Sequence, residues 1–157
     1  MKTKTILVAV MALFMSAITS SEVLASEIIM INDTTALITF DIRFSATVDD
    51  HQLPIMASDS VRYNDRVDII GYEITGAKIN TANALLLSKQ PISGTRYDLP
   101  VNSSASFLLM AIVTLDEPAT EDLSAVITKI PYWMDGKRTT VHQNQLDELD
   151  VATIAAE

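Results

Sequence analysis

From position 36 to 45 the chain repeats with a period of two. Ala36, Ile38, Phe40, Ile42 and Phe44 occupy one set of positions, and Leu37, Thr39, Asp41, Arg43 and Ser45 the other. In an extended backbone these sets point to opposite faces, so the segment reads as a half-buried strand with Asp41 and Arg43 in water. Positions 28–31, Ile-Ile-Met-Ile, predict a shorter strand before it, with Asn32-Asp33 as the turn. Positions 67–74 predict another strand that places Ile70, Tyr72 and Ile74 on one face, entered through a turn at 62–65.

The second half of the chain reads the same way. Leu85-Leu86-Leu87 is a short apolar run closed by Pro91, and positions 96–101 predict a short edge strand, because Pro100 lacks a ladder donor. Positions 107–115, Phe-Leu-Leu-Met-Ala-Ile-Val-Thr-Leu, are apolar on both faces and predict a central strand. Positions 125–133 and 137–143 flank Met134-Asp135-Gly136, a hairpin signal because Gly takes positive φ at little cost. The tail is ambiguous: 144–150 fits a helical turn or a loop, and 151–155 a last strand.

Seven or eight short strands with little helix predict an all-β chain. The expected fold is a single antiparallel β-sandwich, immunoglobulin-like in spacing although it lacks the Cys-Trp-Cys framework. No repeat, low-complexity block or linker divides it.

The N-terminus has a different character. Lys2 and Lys4 precede an apolar run over 6–18, followed by polar residues and Val23-Leu24-Ala25. This is the layout of a secretory signal with cleavage after Ala25; Ala17 is the alternative cleavage point. A run of about 13 apolar residues falls short of the ~20 that span a bilayer. The expected organisation is therefore a signal peptide over 1–25 and a β-sandwich domain over 26–157, with no membrane anchor after cleavage. The chain has no cysteine, which excludes disulfides, thiol catalysis and Cys-ligated metals. A cysteine-free exported domain suits a bacterium, in the periplasm, on the cell surface or outside the cell. Charge points the same way for partners. Net charge is −9, or −10 once Lys2, Lys4 and Glu22 are removed, and this disfavours nucleic acid and anionic membranes.

Catalytic constellations are missing. G-x-S-x-G and H-E-x-x-H do not occur, and the four glycines are isolated, so no phosphate-cradling loop is expected. His51, in an expected loop after Asp49-Asp50, and His142, on the expected second hairpin strand, read as exposed side chains. The oxygen-rich stretches Asn64-Asp65 with Asp68, and Asp147-Glu148 with Asp150, lack the order of a calcium loop. No catalytic residue, metal or cofactor is expected.

Three function classes fit. The first is a non-catalytic binding or structural module of the bacterial surface, such as a fimbrial or other homopolymer subunit whose residues 26–31 would pair with a neighbour's sheet edge. The second is a soluble periplasmic accessory or inhibitor protein that binds a basic protein partner. The third is a small secreted sugar-binding domain or hydrolase. A sugar site would draw on Tyr63, Tyr72, Tyr97, Tyr132 and Trp133. Tyr132 and the single tryptophan, Trp133, are the candidate ligand-binding pair, although Trp133 reads first as a core or hairpin residue.

Overall fold

The computed structural model describes residues 19–59, 66–145 and 151–154, with side chains over 26–59 and 66–145. The chain is all-β. Its strands are β1 (Thr19–Asn32), β2 (Thr35–Ala46), β3 (His51–Pro54), β4 (Met56–Asp59), β5 (Ile70–Thr75), β6 (Ile79–Leu87), β7 (Ile92–Ser93), β8 (Arg96–Leu99), β9 (Ser103–Leu115), β10 (Leu123–Met134), β11 (Lys137–His142) and β12 (Val151–Ile154). A 3-10 turn, Gln143–Gln145, follows β11. No helix among the described residues is long and apolar enough to cross a membrane.

Hydrogen bonds connect all twelve strands in the order β1-β2-β9-β6-β4-β5-β10-β3-β8-β7, with β11 and β12 also on β10. The register around β10 shows how this path divides into layers. Trp133 pairs with both Gln52 and Arg138, and Ser124 with both Thr75 and Thr153. A strand has two edges, and Lys129 has Gly71 on one and His142 on the other. So β3 and β5 lie end to end along one edge of β10, and β11 and β12 along the other. One layer is then β1-β2-β9-β6 and the other has β3-β10-β11 at its centre. In chain order these are the A-B-E-D and C-F-G arrangements of an immunoglobulin-like sandwich. The parallel pair β4–β5 and the hairpin β7–β8 are additions to that frame.

The layers touch through residues that are not sheet neighbours. Phe44 on β2 meets Tyr132 on β10 edge-on at 5.2 Å, and Tyr97 on β8 meets Phe107 on β9 at 5.7 Å. The Tyr97 hydroxyl, buried with its ring, donates to the Leu86 carbonyl on β6 at 2.8 Å. Ile55 marks the crossing from one layer to the other: its N–H donates to the Thr95 carbonyl and its carbonyl accepts from Leu86. Beyond it, β4 pairs antiparallel with β6 and parallel with β5.

The alternation read at 36–45 is realised in β2, whose Ala36, Ile38, Phe40, Ile42 and Phe44 are buried while Asp41 and Arg43 are exposed. The hairpin signal is realised as well. Asp135 (φ 49°) and Gly136 (φ 71°) both adopt positive φ between Met134 and Lys137, the two-residue turn that matches strand twist. The tail's strand forms as β12.

Other expectations shift. The strand expected over 67–74 begins at Ile70, because Val67 and Asp68 are exposed in a bend where the Arg66 guanidinium grips Asp68 at 2.9 Å. The strand expected over 96–101 ends at Leu99 and is interior, with β3 on one side and β7 on the other; Pro100 terminates it rather than marking an edge. β9 is central between β2 and β6, as expected, and its outer face is open, with Ile112 49% exposed. The run at 85–87 is only the end of the longer β6. The turn expected at 62–65 and most of 144–150 lie outside the described residues. So do positions 1–18 of the expected signal, while the expected cleavage point falls within β1, which pairs with β2 from Thr19 onward.

Candidate functional site

At one end of the sandwich three connections converge: the β2–β3 loop with Asp49 and Asp50, the β8–β9 turn at Pro100 and Val101, and the Asp135-Gly136 turn. They surround a cleft of about 580 Å³ whose walls also include Gln52, Asp98 and Trp133. Loops at the end of a rigid sandwich are the usual carriers of recognition.

Each wall is fixed by identifiable chemistry. Asp50 Oδ1 accepts the Val101 amide at 2.8 Å and ties the first loop to the second. Asn102 takes φ 57°, a conformation that Asn tolerates better than most side chains, and so turns the chain into β9. His51 anchors the first loop from beneath. Its Nδ1 lies 2.6 Å from the Asp49 carbonyl, and its ring stacks nearly parallel (6°) on Tyr132 at 5.2 Å. The ring is fully buried, which corrects the expectation of an exposed loop histidine. His51 begins a strand rather than sitting in a loop, and its inward position on β3 opposes the inward Leu99 on β8. His142 is exposed as expected.

The placement of Trp133 and Tyr132 follows from a bulge. Leu123, Ala125 and Ile127 are the buried positions in the first half of β10, and the register shift between Ile127 and Lys129 moves the inward set to Ile130 and Tyr132. One extra residue in one strand has this effect, because side chains alternate with a period of two. Tyr132 therefore enters the core against Phe44 and His51, and lines no part of the cleft. Trp133 turns outward into the cleft wall but is only 9% exposed, because the Arg96 guanidinium lies 3.6 Å above its ring centre. Tyr72 and Tyr97 are core residues, and Tyr63 lies outside the described residues. The aromatic platform expected of a sugar site is thus not open at any tyrosine described, and Trp133 has one face covered by Arg96.

A polar ladder runs across the cleft wall. The Gln52 side-chain amide donates to Asp98 at 2.7 Å, its oxygen faces an Arg96 N–H at 3.4 Å, and the Ser93 hydroxyl donates to the other Asp98 oxygen. These donors, Ser93 first and Gln52 second, hold the Asp98 carboxyl below its ordinary pKa. Asp98 is thus an anion with its geometry set. With Asp49, Asp50 and Asp135 it gives the cleft four carboxylates. No cluster of three or more His, Cys, Asp or Glu among the described residues has metal-holding geometry. The arrangement suits a cation that carries its own donors, an ammonium or a guanidinium, through charge-assisted hydrogen bonds. Sequence reasoning missed Asp98, Gln52 and the acidic cleft. Asp49-Asp50 and Asp135 were visible as separate turns, and only the topology brings them together.

No family model matches the chain, and no curated protein matches it. Among solved structures, the GAE domain of yeast GGA1 aligns at TM-score 0.34 and 14% identity, covering 84% of this chain and 88% of its own. The GAE domain of GGA2p from Saccharomyces cerevisiae aligns at TM-score 0.34 and 10% identity, covering 84% and 86%. At that score the likeness carries no weight, and the fold assignment rests on the strand order.

Proposed function

We propose that this chain is an exported, non-catalytic binding module of the bacterial envelope or surface, which captures a Lys- or Arg-bearing segment of a protein partner in its loop-end cleft. The observation that carries this reading is the cleft itself: four carboxylates, one of them locked as an anion by Ser93 and Gln52, surround a concavity walled by Trp133. The basic n-region and the short apolar run at the N-terminus support export. Net charge −9 favours attraction of a basic partner from a distance.

Trp133 is the only tryptophan, so its fluorescence reports on the cleft. Titration with a Lys/Arg-rich peptide should change its emission saturably, with affinity falling as salt rises. The triple variant D49N/D50N/D135N should bind at least tenfold more weakly. Equal binding by the triple variant would remove the cleft from the reading.

A surface polymer is the second reading. Residues 26–31 pair with β2 of their own chain, but among the described residues β1 pairs with β2 alone and offers a long edge for strand addition. A heat-labile ladder on a gel of unboiled surface extract would support it, and a single monomer band would count against it.

A further inference from the structure

The solvent-facing side of the β1-β2-β9-β6 layer is apolar in register. Ile29, Leu37 and Ile112 form one row across three strands. The next row places Met110 beside Leu85 and Leu85 beside Met56, and the row after that places Leu108 beside Leu87. Ile29, Met56, Leu85, Leu87 and Ile112 are each 40–53% exposed. An antiparallel sheet with one wet face normally alternates apolar with polar residues. Here β9 keeps the composition of a strand covered on both sides, and yet its outer face is open among the described residues.

We infer that this face packs against the same face of a second copy. Charge selects the occupant. The acidic residues concentrate at the two ends of the sandwich: Asp49, Asp50, Asp98 and Asp135 at one, and Asp116, Glu117, Glu121 and Asp122 at the other. Between them, among the residues whose side chains are described, the outer face carries Glu27 and Asp41, in the Met110 and Leu108 rows, with Arg43 one step further on. It is the near-neutral surface on which two copies of a strongly acidic chain meet with least repulsion. It also lacks the lysines that would hold it to an anionic lipid surface. The area agrees with a reversible dimer. Five strands about 4.8 Å apart and three rows about 6.7 Å apart give a face of roughly 20 by 20 Å. Two such faces bury somewhat under about 1,000 Å², at the weak end of specific interfaces. The cleft lies at the end of the sandwich, so this pairing leaves it open and does not depend on the cleft reading.

Sedimentation equilibrium of the purified protein, from about 1 to 300 µM, tests the inference. The expected result is a monomer–dimer equilibrium with a dissociation constant of about 10–100 µM. The variants I112K and L85K should each weaken it at least tenfold while the melting temperature measured at low concentration stays within a few degrees. Monomer at every concentration would overturn the inference, as would a dimer that both lysine variants leave intact. Flotation of the monomeric protein with zwitterionic vesicles would overturn it in favour of a lipid occupant.

Discussion

Phe44→Ala tests whether the two layers close over one another. Phe44 sits on β2 with its side chain fully buried, 5.2 Å from Tyr132 on β10 and 5.9 Å from His51 on β3. No hydrogen-bonded ladder connects β2 to either strand, so only closure of the sandwich brings these rings together. Truncating a fully buried Phe costs ~3–5 kcal/mol from lost transfer and the cavity left behind. For a domain of this length each kcal/mol lowers the melting temperature by about 3–5 °C, so the drop should be roughly 10–20 °C. Ile31→Ala, 59% exposed on β1, is the control and should change stability by less than ~0.5 kcal/mol. Denaturant unfolding followed by circular dichroism measures both. A double-mutant cycle of Phe44→Leu with Tyr132→Leu should give a coupling of ~0.5–1.5 kcal/mol, the range of an edge-on aromatic pair. If Phe44→Ala costs no more than the control and the cycle shows no coupling, the layer arrangement is wrong.

The remaining predictions are narrower. Gly76→Ala should be far more damaging than Gly94→Ala: both have positive φ, but a Cβ at Gly76 would meet the Asp122 carbonyl oxygen at 2.1 Å, and one at Gly94 meets nothing within 4 Å. The second variant should cost about 1–2 kcal/mol from backbone strain alone and the first clearly more, as read by chemical unfolding. Asp98 should add an acid-sensitive component to stability. Its folded pKa is held below 3.8 by Ser93 and Gln52, so its contribution is complete above the unfolded value and is lost as pH falls through the folded one. Between about pH 5 and 2 the wild type should lose more stability than Asp98→Asn; parallel curves would show that the ladder does not hold the anion. Arg96→Ala should uncover Trp133, shifting its emission to the red and raising acrylamide quenching, and an unchanged spectrum would mean that the guanidinium does not cap the ring.

What was legible in the sequence was local. The period of two at 36–45 required only that one face of a strand be buried, and Asp135-Gly136 required only that two residues take positive φ; both are realised as read. β3 and β4 were missed because His51–Pro54 and Met56–Asp59 are four residues each, too short for a period to show, and each contains a proline or polar residues that read as loop. The burial of His51 was missed for the same reason, since its neighbours Asp49 and Asp50 read as solvent-facing. Tyr132 and Trp133 were paired in the sequence as ligand candidates, but a bulge near Thr128 decides which of them enters the core, and no local signal marks it. The acidic cleft joins Asp49 to Asp135 across 86 positions and depends on the A-B-E-D and C-F-G strand order. Apolar composition on both faces of 107–115 was read as a central strand, and β9 is one, between β2 and β6. Its outer face is exposed among the described residues, and that apolar exposure is what points to a second copy.

The most direct measurement is a map of backbone amide shifts in the isotope-labelled protein during titration with the Lys/Arg-rich peptide at low salt. The account predicts changes confined to 49–52, 98–101 and 133–136, saturating together and fading as salt is added, with the outer face of β9 unaffected. Shifts that instead cluster on β9 and β6, or that spread over the whole acidic surface without saturating, would contradict capture by the cleft.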